Sequence, residues 1–432
     1  MSAPPASLAA PLPRPRLPLP WLSVLTAGPD RLESHFARRG EVLPDYLPGA
    51  GRGVWVRDPQ LIDQVLATAG VDSAEIARVM EPVVGARSVF ALHGEAHREV
   101  RRPLASAVRG SALAGCRAAI AESAQHMADA APTRRPFRLL PLLEQTVLTA
   151  DITVAASIRD PSRMQAWTQA FRRMRDMPAR TSVILHGFGA LPWHPPVRRA
   201  RRACVALVRA EIERRRSSGE DHEDVLGWLC ASSSRHLTDE SIPDQIIAFM
   251  TGGQSSALGA AWAVERIVRH RRVWQRVAAE ANAAVGTTYT EAAIREALRV
   301  RSPLPRQPFL LRESCELGGY HLPAGTWVVV SLWDLHRNRR LYAEPEAFRP
   351  ERFLNGPGPR NTWVPFGVGP HACVASQLAL LQMTEMIQAL ARLGDVQPDR
   401  PDDEGVGRGS LLETYPARGC RVVLHRAGEG EG

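Results

Sequence analysis

The 432-residue chain contains no lysine: its 54 basic residues are all arginine, and against 45 acidic residues they give a formal net charge of +9. We read the arginine bias as a coding preference, because the basic residues are scattered. Pairs such as Arg101-Arg102, Arg201-Arg202 and Arg271-Arg272 sit among acidic and apolar neighbours. There is no basic tract and no interleaving of aromatic with basic residues, which argues against a nucleic-acid binder and makes an acidic protein partner the better match. Six cysteines, at 116, 204, 230, 315, 373 and 420, form no CxxC pair and no regular framework. That spacing argues against a disulfide scaffold and points to a reducing compartment. Missing too is an apolar run long enough to cross a bilayer, or the layout of a signal peptide, since the N-terminus MSAPPASLAAPLPRPRLPLPWL is broken by proline. A soluble, cytoplasmic monomer is expected, with no membrane segment.

No internal repeat and no low-complexity linker divides the chain. We therefore expect a proline-rich leader over residues 1–25, disordered or extended, followed by one domain over 26–432. The stretch GRGVWVRDPQLIDQVLATAG, residues 51–70, predicts a short strand, a break at Asp58-Pro59 and an amphipathic helix. Most of residues 94–300 has helical periodicity, interrupted by proline-rich connections such as GALPWHPPVRR. From Leu317 the pattern changes to glycine turns around short strands, among them the buried-looking run Trp327 to Leu332. The expected fold is mainly α with a minor β region.

One helical stretch is anomalous. FMTGGQSSALGAAWAV, residues 249–264, is apolar enough to be buried yet carries Gly252, Gly253, Gln254, Ser255 and Ser256 in succession. Glycine inside a helix costs about 1 kcal/mol relative to alanine, and buried amides and hydroxyls need partners. Ser241, Pro243 and Asp244 predict the helix start as an S-x-x-D cap with proline in the first turn, and no breaker appears before about Arg272.

The most informative segment is WVPFGVGPHACVASQLALLQMTEMIQALARL, residues 363–393. A glycine-rich loop bounded by proline becomes a helix with an apolar stripe at Leu380, Met383, Ile387 and Leu390. Cys373 falls at the junction, where the positive end of the helix dipole and backbone N–H groups favour a thiolate fit to bind metal. Three plainer readings compete. A cysteine is often just a small buried hydrophobe. Gly367, Gly369 and Ala372 match a G-x-G-x-x-A dinucleotide fingerprint, but Pro365 spoils the preceding strand and no acidic residue follows at the required distance. His371 and Cys373 could begin a zinc site, yet no second ligand pair stands nearby.

The whole phrase Phe366-Gly367-x-Gly369-x-His371-x-Cys373 resembles the haem-binding signature of the cytochrome P450 family, with Ala375 where a glycine is usual. The resemblance implies the P450 fold, haem b as cofactor and Cys373 as the thiolate ligand of its iron. Other landmarks follow in order. The segment EALR, with Glu296 and Arg299, together with EPEAFRPERF, with Arg352, resembles the family's buried ion network that supports the cysteine loop. ALHGEAHREVRRPL resembles the helix that meets the haem propionates, which implies His97 and Arg101 as donors, with His371 a further one; Arg98 and Arg102 read as solvated basic side chains. The position of a further propionate arginine falls near Phe309 or Arg306 and is assigned to neither.

Within the same resemblance, TGGQSSA matches the family's oxygen-facing helix. Gly252 and Gly253 would then provide clearance over the porphyrin, while Gln254 and Ser255 stand where an acid and a threonine usually organise proton delivery, with Ser256 adding a hydroxyl. The implied reaction is insertion of one oxygen atom from O2 into a hydrophobic small molecule, a terpenoid or polyketide secondary metabolite. Electrons would come from NAD(P)H through a ferredoxin reductase and an acidic ferredoxin. Gln254 cannot ionise, so oxidative coupling, cyclisation or rearrangement without oxygen insertion stands as the alternative. A catalytically silent haem-fold auxiliary is disfavoured by the presence of Cys373. The resemblance also implies that substrate meets the segments VMEPVVGARSVFAL and RTSVILHGFGALPW.

Overall fold

The computed structural model describes residues 9–15, 19–27, 31–47, 51–68, 71–72, 80–175, 195–219, 222–232, 234–284, 286–407 and 413–427. The chain divides into two compact units, each assembled from separated segments.

The first unit draws on residues 1–76, 304–347 and 357–372. Its main sheet has five strands in the order β2 (Val42–Leu47), β3 (Gly51–Val56), β9 (Trp327–Ser331), β6 (Arg306–Leu311) and β4 (Val71–Asp72). Only the β3 and β9 pair is parallel. Side chains alternate across a sheet, and here both faces are covered. Val54, Val56, Val328 and Val330 pack with Leu61, Ile62 and Val65 of α3 (Pro59–Ala67). Trp55 and Val329 point the other way and meet Leu32 and Phe36 of α2 (Leu32–Arg39). This double burial explains why the run from Trp327 lacks polar alternation. The expected break at Asp58-Pro59 is a helix cap: Asp58 accepts hydrogen bonds from the N–H groups of Gln60 and Leu61.

A second sheet in this unit joins β1 (Ala10–Pro11), β8 (Tyr320–Leu322) and β7 (Cys315–Leu317), and a short α14 (Leu332–Leu335) follows β9. The leader therefore differs from the expectation over residues 1–25. Ala10 and Pro11 pair in parallel with Tyr320 and His321, and α1 (Pro20–Ala27) is helical. The buried Asp45 carboxylate accepts from the Trp21 backbone N–H at 2.9 Å and from Trp55 Nε1 at 2.6 Å, which ties α1 to the sheet.

The second unit draws on residues 77–303, 348–356 and 373–432 and is mostly helical. In chain order its helices are α4 (Glu81–Val84), α5 (Gly94–Ala107), α6 (Gly110–Ala130), α7 (Leu140–Ala156), α8 (Pro161–Arg175), α9 (Pro195–Ser218), α10 (Val225–Cys230), α11 (Ile242–Arg269), α12 (Arg271–Ala283), α13 (Thr288–Val300) and α15 (Ser376–Leu393). A small sheet orders β10 (Gly394–Pro398), β11 (Arg421–Arg426) and β5 (Phe137–Arg138). The 28-residue α11 runs through the middle, against α7, α9, α13 and α15. Its apolar residues cover all sides, as a helix surrounded by others requires.

The start of α11 corrects the predicted cap. Ser241 makes no capping bond to the helix; its hydroxyl accepts from Thr238 N–H at 2.9 Å and donates to the His236 carbonyl at 2.8 Å. Asp244 is engaged instead by the Arg201 guanidinium and the Arg87 N–H. The helix ends at Arg269, where His270 leaves helical geometry, short of the expected Arg272.

Candidate active site

The glycine loop of residues 363–372 belongs to the first unit. Gly367 and Gly369 have φ of +77° and +75°, a left-handed backbone that disfavours any side chain. Space is short as well: a Cβ would lie 2.8 Å from Gln307 Oε1 at position 367 and 2.6 Å from Leu66 Cδ2 at position 369. Gln307 on β6 fixes the loop by a reciprocal amide pair, accepting from Val368 N–H at 2.8 Å and donating to Val368 O at 3.0 Å. His336 Nε2 accepts from Val364 N–H at 2.9 Å. Phe366 is half-buried and meets Trp363 edge-on at 5.9 Å, and His371 is half-buried at the end of the loop. Of the two residues weighed as a further anion contact, Phe309 is buried in the sheet core at 1% exposure. Arg306, next to Gln307, is pushed down to about 10 by burial. Sequence reasoning missed Gln307 and His336, for which only the glycine spacing they serve is visible in the chain.

Cys373 belongs to the second unit, just ahead of α15. The Ala375 N–H donates to its sulfur and Arg101 and Arg109 add positive charge, but burial outweighs all three and pushes the thiol up. Burial thus works against the bias towards thiolate expected from the helix N-terminus. The side chain is nevertheless exposed to water-sized contact. Arg101 on α5 is pushed down by burial and by Arg109, and the one influence opposing them is Cys373. His97, one turn earlier on the same face, is buried at 2% exposure. Arg101, pushed down by burial, and the buried His97 beside it suit an anionic guest.

The anomalous stretch of α11 forms a window. Met250 and Ser256 are buried, whereas Thr251, Gly253, Gln254 and Ser255 are half-buried and Gly252 is exposed. A Cβ on Gly252 would meet nothing nearer than Phe90 Cζ at 3.9 Å, and Phe90 is itself 41% exposed. Gly253 differs. A Cβ there would fall 1.8 Å from Asp151 Oδ2 on α7, so this glycine makes room for a carboxyl behind the helix, which leaves Gly252 as the one of the two with open space beside it. Ser256 lies a turn beyond Gly252, where the core has closed again at 6% exposure. It does not line the opening.

Gln254 and Ser255 face different surroundings, since successive helical residues are turned by about 100°. Gln254 lines a small recess of about 50 Å³ between α7, α8 and α11, together with Thr251, Asp151, Glu144 and Arg175. Ser255 Oγ donates to Glu413 Oε1 at 2.9 Å, across 158 residues of sequence. Asp151, 2% exposed, accepts from Gln382 Nε2 at 2.7 Å and is pushed up to about 7 by burial. Neither Glu413 nor Asp151 has a local sequence signal that sets it apart.

Glu296, Arg299 and Arg352 are brought together in the second unit. Arg299 and Glu296 on α13 pair through two bonds, 2.7 and 2.9 Å, with both side chains at 0% exposure. Glu296 Oε1 also accepts from Arg349 N–H at 2.8 Å and lies 3.4 Å from Arg352 Nε in the 3-10 turn Pro350–Phe353. A fully buried carboxylate tolerates this position only when such partners surround it.

The sequence profile of the cytochrome P450 family matches residues 13–405. The chain belongs to the cytochrome P450 family. P450s are haem-thiolate monooxygenases that use O2 and electrons from a redox partner, and this chain is an oxidoreductase of that class. It is 29% identical over 420 residues to a Mycobacterium tuberculosis protein named cytochrome P450 137, covering 94% of this chain and 87% of the relative. A Mycobacterium bovis protein named cytochrome P450 135B1 is 28% identical over 401 residues, covering 89% and 84%. A solved cyanobacterial P450, CYP120A1 with retinoic acid bound, superposes with a TM-score of 0.82 over 97% of this chain and all of the other, at 21% identity. That likeness concerns the fold, and it agrees with the mainly α P450 architecture expected from the sequence. Of the two substrate segments expected for this P450, RTSVILHGFGALPW lies outside the described residues, and Met80 onward in the other is described. No described helix is long and apolar enough to cross a membrane.

Proposed function

We propose that this P450 binds haem b through Cys373 and inserts one atom of O2 into a hydrophobic small molecule of the terpenoid or polyketide class, as a cytoplasmic monomer whose residues 26–432 act as one haem domain. The observation that carries the reading is Cys373 itself: an accessible thiol enclosed by protein, held by the Ala375 N–H and facing Arg101. Bound haem would supply the activation of O2, with the second oxygen atom leaving as water. The residues present fit that group. Arg101 loses hydration to burial one turn from the buried His97, and these two would hold a propionate, with His371 a further donor. Phe366, Gly367 and Gly369 would shape the loop beside the porphyrin. Glu296, Arg299 and Arg352 would act at a distance, by keeping the chain around Arg349 to Phe353 in place.

On the oxygen side, Gly252 would leave room for the guest and Phe90 would offer it an apolar contact. Ser255 Oγ would hold a proton or a water at the window. The net charge of +9 suits an acidic ferredoxin, with electrons drawn from NAD(P)H by a reductase, and gives no reason to invoke nucleic acid. One observation favours a second outcome for the same haem: Gln254 cannot ionise and lines the recess beside α7, which suits coupling, cyclisation or rearrangement.

The test is the carbon monoxide difference spectrum of reduced, haem-loaded protein. A thiolate-type red-shifted Soret band that Cys373→Ala abolishes is the expected result; a band that survives the substitution overturns the axial assignment. Product analysis under isotopically labelled O2 with a reconstituted donor system then separates insertion from coupling.

A further inference from the structure

We propose that Glu413 is the carboxyl partner of the oxygen-facing window, acting through Ser255 Oγ in place of an acid that α11 lacks at Gln254. The inference rests on the haem reading above, because it takes the Gly252 window as the oxygen side.

Three observations support the assignment. The first is the direct bond, Ser255 Oγ to Glu413 Oε1 at 2.9 Å. The second is position: Ser255 stands about 60° from Gly252 around α11, on the open side, while Gln254 is turned a further 100° away into the recess. The third is rigidity. Thr414, the next residue, is 3% exposed and held three ways: its N–H donates to Pro303 O at 2.7 Å, its hydroxyl donates to Ser302 O at 2.7 Å, and it accepts from Trp262 Nε1 at 3.2 Å. Trp262 lies two turns beyond Ser255 on nearly the same face of α11 and is fully buried. Gly407 N–H bonds Tyr415 O at 2.7 Å and Val406 bridges Pro416, so the chain just after Glu413 is pinned. An anchored backbone sets the carboxyl against the serine at low entropic cost.

The pair works as a donor switch. While Glu413 is ionised, the one hydroxyl proton of Ser255 is committed to Oε1, and Ser255 can only accept at the window. Once Glu413 takes a proton from water, its O–H donates to Ser255 Oγ and the serine proton is free to point into the opening. Transfer balances: the serine proton leaves to an acceptor at the window, the Glu413 proton moves to Oγ, and Glu413 takes up another from water. Among the described residues, charged groups on neighbouring elements include Arg301, whose guanidinium lies 5.7 Å from the Trp262 ring centre, the Glu265–Arg266–Asp403 cluster further along α11, and Asp151 across the helix. Glu413 itself is a positioning residue, and Ser255 is the group that faces the guest.

The test uses haem-loaded wild type, Glu413→Gln, Glu413→Asp, Ser255→Ala and the Glu413→Gln/Ser255→Ala double variant. The readout independent of turnover is the C–O stretching frequency of the reduced carbon monoxide complex against pH. The wild type should show a pH-dependent shift that vanishes in Glu413→Gln and Ser255→Ala and returns at a displaced pH in Glu413→Asp. Product formation should fall roughly a hundredfold in each single variant, with the double variant no worse than either. An unchanged pH dependence in Glu413→Gln, or losses that multiply in the double variant, overturns the Glu413 assignment. A wild type without the thiolate-type Soret band overturns the haem reading instead, so the two failures are told apart in the same spectra.

Discussion

Asp151→Asn should change the pH dependence of stability by an amount that follows from the position of one carboxyl group. Asp151 sits on α7 at 2% exposure, with Oδ1 accepting from Gln382 Nε2 and Oδ2 filling the space beside Gly253. Burial raises it from 3.8 to about 7, and Gln382 offsets only part of the shift. Between those two values the folded protein keeps a proton that the unfolded chain has released. The unfolded state thus binds fewer protons, and stability falls as pH rises. The contribution is fully present below pH 3.8 and lost through pH 7. About three pH units at roughly 1.4 kcal/mol each make the loss about 4 kcal/mol by pH 8. Asparagine keeps an acceptor for Gln382, has nearly the same shape and does not titrate. Urea unfolding of both proteins at pH 4.5, 6, 7 and 8 should give stabilities within about 1 kcal/mol of each other at the acid end. At pH 8 the variant should be the more stable by several kcal/mol. Asp334 is likewise pushed up to about 7 by burial and adds the same sign to both proteins, so the difference between them isolates Asp151. A difference that stays flat from pH 4.5 to 8 would refute the claim that this carboxyl is held protonated.

Gly252→Ala and Gly253→Ala should separate although the residues are adjacent. The first adds a methyl to open space, so helix propensity raises the melting temperature slightly; the second drives a methyl into the Asp151 carboxyl and should cost about 1–3 kcal/mol. Equal effects on the melting temperature would mean that the two faces are not distinct. Glu296→Ala leaves the buried Arg299 without both of its bonds to that carboxylate, and roughly 3–5 kcal/mol of stability should go with it, read as a urea midpoint. Gly369→Ala forces a side chain to φ +75° against Leu66, and melting should come down by at least the roughly 1–2 kcal/mol that left-handed backbone costs. A wild-type melting curve for this variant would show that the loop relaxes freely.

Much of this P450 was legible in the chain because the relevant forces act over a few residues. The break at Asp58-Pro59, the pairing of Glu296 with Arg299 one turn on, the glycine turns before Cys373 and the unbroken helix around Gly252 all depend on local spacing. The Ser241 cap shows the limit of such reasoning: the pattern was present, but Arg201, more than forty residues away, took the Asp244 carboxylate. The leader is a second case, since the pairing of Ala10 with Tyr320 and of Trp21 with Asp45 overrode a proline-rich composition.

By itself, the amino-acid order determined the family, the cysteine at the loop-to-helix junction and the pair of glycines within α11. The tertiary structure alone decided the neighbours. It separated Gly252 from Gly253, closed the core over Ser256, turned Gln254 away from Ser255, and set Asp151 and Glu413 against the two sides of the same helix. It also set burial, which pushes the Cys373 thiol up, against the Ala375 N–H and the Arg101 and Arg109 charges, which favour the anion. The reason is common to all of these. A hydrogen bond across 158 residues, or the loss of hydration inside a fold, depends on which surfaces meet, and no periodicity in the chain records that meeting.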